Sequence, residues 1–150
     1  MGVLNPTILE GLDMLHARCA PACTLFDLPD VHVLAVERGP RSFTLTVETV
    51  PSLTGGPSCG VIATGHGRRT VLLHDLPCAG VPVRVVLGQR IYRCLEDACD
   101  ALTFSEIDEL AAPRCKLTTR AVTWAVAQLR AHDIVISALS NMRRIAWNTV

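Results

Sequence analysis

The chain has 150 residues, 49% of them apolar and 4% aromatic, with no formal net charge. That composition supports one domain, or two small ones, around an aliphatic core, and it excludes a disordered chain. No apolar run approaches the roughly 20 residues of a spanning helix, and the N-terminus lacks the basic-then-apolar layout of an export signal, which predicts a cytoplasmic protein.

Residues 1–23 form a first segment. Ile8, Leu12 and Leu15 follow helical spacing behind Pro6-Thr7, which predicts a short helix interrupted by Gly11. From Val31 the period becomes two. Val31–Arg38 and Phe43–Val50 are β-branched-rich runs around Gly39-Pro40-Arg41-Ser42, which predicts a β-hairpin. Gly55-Gly56-Pro57-Ser58 reads as a loop. Residues 70–74 read as a third strand, ended by Asp75-Leu76-Pro77 because Pro cannot continue a ladder. Val81–Val86 and Arg90–Cys94 read as a strand or a hairpin bent at Gly88. Residues 24–112 are therefore expected to be a small antiparallel β-domain with cysteines at the strand ends.

After Pro113 the period changes to that of a helix. Thr118 is placed to cap it, with Leu117 and Val122 at the positions of a hydrophobic staple. Ala121, Trp124, Ala125 and Leu129 share one face of Thr119–Ala131. His132-Asp133 breaks the pattern, residues 134–142 suit a second helix, and a third starts near Ala146. The fold class expected is α+β: a zinc-ribbon-like antiparallel β-domain followed by a helical segment, 113–150.

Charge divides along the same boundary. Residues 1–110 hold 8 Lys/Arg against 13 Asp/Glu, whereas residues 111–150 hold Arg114, Lys116, Arg120, Arg130, Arg143 and Arg144 against Asp133 alone. Such a C-terminal segment suits a polyanion, or an ordinary solvated helical surface.

Seven cysteines without an export signal point to metal or redox chemistry before disulfides. Structural zinc takes four ligands, commonly two cysteine pairs on two tight turns. Cys94 and Cys99, with four residues between them, make one pair. The other should be Cys-x-x-Cys ending at Cys59, but Gly56 stands at its first position. A fourth ligand can come from His66, His74, Cys78, Cys19 or Cys23, and His66 is nearest in sequence. The alternative is a set of small buried thiols. Cys19-Ala-Pro-Ala-Cys23 has one residue too many for a redox pair and reads as two incidental thiols. Asp75, Asp108 and Glu109 read as acids on a solvated surface. No histidine pairs with a carboxylate or serine at telling spacing, and no phosphate-binding glycine loop is present.

Ser137–Val150 has the layout of a helix-turn-helix, or of an ordinary helical hairpin. In the first case Asn148 would address adenine, and Thr149 a base or a phosphate. The last five residues are too few to make a helix stable by itself.

The order of these pieces resembles the N-terminal region of bacterial insertion-sequence transposases of the ISL-three family, a zinc finger followed by a helix-turn-helix. The resemblance runs from Thr24-Leu25-Phe26-Asp27-Leu28-Pro29 through the hairpin Val33–Val47, Cys59-Gly60, His66-Gly67-Arg68-Arg69 and Asp75-Leu76-Pro77 with Gly80. It continues in Arg93-Cys94 with Cys99, Thr103-Phe104-Ser105-Glu106 and Leu117–Arg120, and ends in Ala146–Val150. It implies a protein that binds double-stranded DNA at the terminal inverted repeats of its element, with Arg143, Arg144, Trp147, Asn148 and Thr149 at the DNA. It also implies zinc held by four cysteines, of which Cys59, Cys94 and Cys99 match and Gly56 does not. Arg143 and Arg144 stand where the family carries an apolar residue and a glycine. The family's acidic catalytic residues lie downstream of the matched region, so the expectation is a truncated protein without catalysis, membrane association or a small-molecule substrate. Two other expectations stand beside it: a module that pairs with full-length transposase and interferes with it, and a decayed remnant that folds poorly. A zinc-dependent enzyme is disfavoured, because the three cysteines have no general base beside them in the sequence.

Overall fold

A computed structural model of the chain describes residues 21–132, together with the helical residues Ala138 and Asn141. Helix α1 covers residues 21–26, followed by the strands β1 (Val31–Arg38), β2 (Phe43–Thr49), β3 (Thr64–Cys78), β4 (Val81–Arg93) and β5 (Thr103–Ser105) and by helix α2 (Thr119–His132). The architecture is α+β, with a mixed five-stranded sheet and two helices. The sheet order is β1-β2-β4-β3, and β5 also pairs with β4.

The first hairpin is as expected. β1 and β2 pair antiparallel from Val31↔Thr49 to Arg38↔Phe43, with a bulge between Val33 and Ala35. The turn closes through the Gly39 amide, which donates to the Ser42 carbonyl at 2.8 Å. Alternation along β2 puts Leu45 and Val47 wholly inside.

Two expectations about the rest of the sheet need correction. First, it is not purely antiparallel: β2 and β4 run parallel from Phe43↔Val83 to Glu48↔Gly88. β3 and β4 form a long hairpin whose second strand inserts beside β2, a non-local pairing that no local pattern announces. Second, β3 has 15 residues rather than five. Pro77 does not end it, because it falls in the bulge between the pairs Asp75↔Val83 and Cys78↔Val81, where no ladder amide is required. Of the two alternatives expected for β4, the strand is the one observed: it passes straight through Gly88, which faces Glu48 on β2 and Thr70 on β3.

The β3–β4 turn is the tight pair Ala79-Gly80, with φ of 50° and 75°. Two positive φ values suit the right-handed strand twist and favour Asn-Gly. Ala79 is therefore in a conformation that its Cβ opposes.

Side chains from one face of the sheet make the core. Rows such as Val33–Val47–Leu87–Val71 follow directly from the register. Phe26, Leu28 and Leu110 join this core. Phe26 meets Phe43 edge-on at 6.2 Å. Cys23 packs against the same core, and its sulfur accepts the Val33 amide at 3.4 Å. The expected boundary at residue 23 thus falls inside a helix whose residues pack on the sheet. The short helix expected around Ile8–Leu15 lies outside the described residues.

Helix α2 starts where its sequence says. Thr118 Oγ1 accepts the Ala121 amide at 3.3 Å, the N-cap bond, and Ala121 and Ala125 face inward. What the sequence did not announce is how α2 is fastened. The His74 amide donates to Lys116 O at 2.8 Å and the Thr118 amide to His74 O at 3.0 Å, so the segment before α2 pairs with β3. Asp75, expected on a solvated surface, is buried at 3% exposure. It accepts Thr118 Oγ1 at 2.6 Å and Arg120 Nε at 2.9 Å, with a further short contact to Arg120 Nη2. Arg120 Nη1 donates to Asp27 O at 2.8 Å, tying the end of α1 to the same point. The Asp75 carboxylate, against burial that lowers it, holds the Arg120 guanidinium above its ordinary pKa. Arg120 therefore stays charged across the working pH range.

Two outcomes follow from this packing. Ala79→Asn is expected to stabilise the protein by about 0.5–1 kcal/mol, because Asn tolerates positive φ where Ala does not; equilibrium urea unfolding measures it, and a destabilisation contradicts the turn assignment. Asp75→Ala is expected to cost about 3 kcal/mol, because it strands the Thr118 hydroxyl and the half-buried Arg120. In a double-mutant cycle with Arg120→Ala, strict additivity of the two losses would show that the pair does not fasten α2.

Candidate metal centre

Two tight turns build the centre. In the first, the Gly56 amide donates to Val61 O at 2.8 Å, the Gly60 amide to Gly56 O at 2.8 Å, and the Ala63 amide to Thr54 O at 2.9 Å. Gly60, at φ 70°, closes the turn with a conformation that glycine adopts freely. This backbone scaffold presents Cys59. The second turn joins β4 to β5. The Cys94 amide donates to Leu102 O at 3.0 Å and the Cys99 amide to Glu96 O at 3.0 Å, so both cysteines sit in the loop between the paired strand ends. Tyr92 and Phe104, opposite each other on β4 and β5, stack at 6.0 Å below it.

The turns bring the sulfurs of Cys59, Cys94 and Cys99 within 4.8 Å of one another, close enough to hold a metal ion. Cys59 Sγ and Cys94 Sγ lie 3.5 Å apart. Cys94 and Cys99 are buried and Cys59 is half-buried. Burial pushes the Cys99 thiol up, but the Ala101 backbone and the thiols of Cys59 and Cys94 outweigh it, so Cys99 lies below its ordinary value. The Glu96 backbone pulls Cys94 down, but burial and the thiols of Cys59 and Cys99 outweigh that, so Cys94 lies above.

Gly56 stands against this cluster. A Cβ on it would lie 2.8 Å from Cys59 Sγ, 3.0 Å from Cys94 Sγ and 3.4 Å from Cys99 Sγ. The position that the sequence marked as a missing ligand is thus directly over the three sulfurs. His66 is not brought to them. It lies in the exposed first half of β3, and the ligand group among the described residues holds the three cysteines alone. His74, the other β3 histidine considered, pairs opposite Arg84 and Leu117, away from these turns. Cys78 is at the far end of β3 and Cys23 is in the core. Arg143, Arg144, Trp147, Asn148 and Thr149 lie outside the described residues, as does the helix-turn-helix reading; Ala138 and Asn141 within it are helical.

Sequence reasoning missed a second polar assembly, beside the centre. Glu106, buried at 7% exposure, accepts the Arg90 amide at 2.7 Å and Thr49 Oγ1 at 2.7 Å, and its own amide donates to Arg90 O at 3.0 Å. Arg90 Nη1 donates to Thr49 O at 2.6 Å and Thr49 Oγ1 at 2.9 Å. Gln89 donates to Asp108 Oδ2 at 2.9 Å and accepts Arg69 Nε at 2.6 Å. Glu106 gave no sequence signal because its side-chain partners, Arg90 and Thr49, are 16 and 57 residues away.

No protein-family model, curated protein or solved structure matches the chain.

Gly56→Ala is expected to destabilise the reduced, metal-free protein by about 1–3 kcal/mol, since its methyl must displace the half-buried Cys59 sulfur and crowd the buried one of Cys94. Gly60→Ala meets open space and should lose only about 1 kcal/mol, from its positive φ. Thermal or urea unfolding of both variants checks the order; a silent Gly56→Ala would show that the turn does not press on the cysteines.

Proposed function

We propose that the chain is a DNA-binding module of insertion-sequence transposase type, of the kind that recognises terminal inverted repeats, with no catalytic step of its own. The observation that carries this reading is the convergence of Cys59 with Cys94 and Cys99 on two tight turns, with Gly56 at the remaining ligand position. That is the layout of a zinc ribbon lacking one ligand, and it fits the motif order by which the sequence resembles the ISL-three family. The exposed first half of β3, with His66, Arg68 and Arg69, lies next to the centre and adds positive charge that a phosphate backbone can use. Arg68 is partly neutralised by Glu48 at 3.1 Å. Base readout falls to Asn148 and Thr149 in this reading, with Arg143, Arg144 and Trp147 beside them.

Zinc is the ion that the family resemblance implies. Cys59, Cys94 and Cys99 would hold it, and bound there it would pin the first turn to the β4–β5 loop. Three donors fall short of the closed four-ligand set of a structural site, so the reading assigns DNA contact to the protein's own basic and polar residues.

A second reading has its own support. β1 lies at the sheet edge and exposes Leu34 and Val36, and Leu72 on β3 is 59% exposed. An open edge with apolar side chains is a template for another chain, which suits a module that pairs with full-length transposase.

Mobility-shift titration separates the two readings. The protein is expected to bind the element ends that flank its gene more tightly than random duplex, and affinity should fall steeply as salt rises. Asn148→Ala should cost about 1–3 kcal/mol of that discrimination. Equal affinity for both duplexes would overturn site recognition, and co-purification with full-length transposase in that case would favour the pairing module.

A further inference from the structure

Structural zinc takes four donors in a tetrahedron, with Zn–S of about 2.3 Å, which sets sulfur donors roughly 3.8 Å apart. The fourth donor, on the Gly56 side, would therefore stand roughly that far from each cysteine sulfur. A Cβ on Gly56 would already lie 2.8, 3.0 and 3.4 Å from them. Among the described residues no fourth donor joins the three sulfurs, so a tetrahedral ion is left one donor short. The Gly56 amide and carbonyl are both engaged within the turn, to Val61 and Gly60, so the backbone is held in place there.

An ion satisfied by three sulfurs has no such conflict. Thiolate donors select thiophilic ions. Trivalent arsenic forms three bonds and carries a lone pair, which requires no donor on its fourth side. The two buried thiols and the half-buried third, within 4.8 Å of one another, supply those three bonds.

We propose that Cys59, Cys94 and Cys99 form a three-thiolate site for a thiophilic, three-coordinate ion of the trivalent arsenic class, in place of a four-coordinate zinc site. With arsenous acid, three As–O bonds break and three As–S bonds form. Each thiol proton leaves with a hydroxyl group as water, and neither arsenic nor sulfur changes oxidation state. The half-exposed Cys59 is the point of entry, and burial of Cys94 and Cys99 shields the product from competing thiols. The assignment is independent of DNA recognition, and its test reads no DNA.

The test uses the full reduced chain and arsenite as the probe. Native mass spectrometry is expected to show one arsenic gained and three hydrogens lost per chain. Arsenic-edge X-ray absorption should show three sulfurs and no oxygen. Alkylation followed by peptide mapping should find Cys59, Cys94 and Cys99 protected, with the exposed Cys115 modified. Cys99→Ser should retain arsenic at least tenfold less well. Loss of only two hydrogens with an oxygen kept on arsenic would overturn the proposal. So would protection at Cys19 and Cys23 instead, or one zinc per chain in the purified protein with four donors at its absorption edge. Should Cys99→Ser fail to fold, the mapping on the unaltered chain decides.

Discussion

The structure depends on satisfying both edges of β4. This strand has 13 residues, and β3 accompanies it along one side from Val81 to Arg93. On the other side β2 is too short: it reaches Gly88, and β5 takes over only at Ile91. Gln89 and Arg90 lie in the gap. Glu106 fills it by accepting the Arg90 amide on its carboxylate and donating its own amide to the Arg90 carbonyl. A side chain thus stands in for a strand. The arrangement is costly to break, because an unpaired buried amide or carboxylate keeps its full desolvation penalty. Arg90, with its side chain 13% exposed and 3.8 Å from Glu48, carries the countercharge and anchors the end of β2 through Thr49. Because β5 is held in this way, the loop from Cys94 to Leu102 closes, and two of the three sulfurs arrive together.

The Asp75–Arg120 pair does for the helix what Glu106 does for the sheet. Asp75 sits at the last regular β3–β4 pair before the Pro77 bulge. There it meets the N-cap of α2 and, through Arg120, the carbonyl that ends α1. Three segments distant in sequence share one carboxylate. This also changes the meaning of the basic C-terminal third. Arg120 neutralises Asp75 and stabilises the fold, so the charge that the segment presents to a polyanion is smaller than its composition suggests. The expectation of a solvated acidic surface failed at Asp75, though not at the exposed Glu109, for the same reason: an acid among apolar neighbours reads as exposed until its distant arginine is known.

What was legible in the sequence was local. The β1–β2 hairpin was readable because alternation and a Gly-Pro turn sit within twenty residues, and α2 because its cap and its apolar face sit within a dozen. The parallel pairing of β2 with β4 was not, because strands 40 residues apart leave no mark on each other's composition. β3 was underread because Gly65, Gly67 and Pro77 look like breakers, and they are breakers of pattern rather than of pairing: Gly67 still lies opposite Ile91. β5 was too short to show any period. At the centre, spacing correctly grouped Cys59, Cys94 and Cys99. It could not choose the fourth position, because proximity in sequence, which favoured His66, says nothing about which edge of a strand faces a turn.

The same geometry explains how the centre keeps its form with glycine at position 56. The first turn is held by backbone hydrogen bonds from Gly56, Gly60 and Ala63, none of which uses the side chain at 56. Glycine there supplies no donor, and the turn does not need one. The glycine then lets the main chain approach the sulfurs more closely than any other residue would allow. Three thiols left together remain compatible with the protein interior, since a neutral thiol is a small apolar group. The demand on the site moves from the protein to the ion. A tetrahedral ion needs a fourth donor that the described residues do not supply, while a three-coordinate ion needs only the sulfurs that the two turns already bring together.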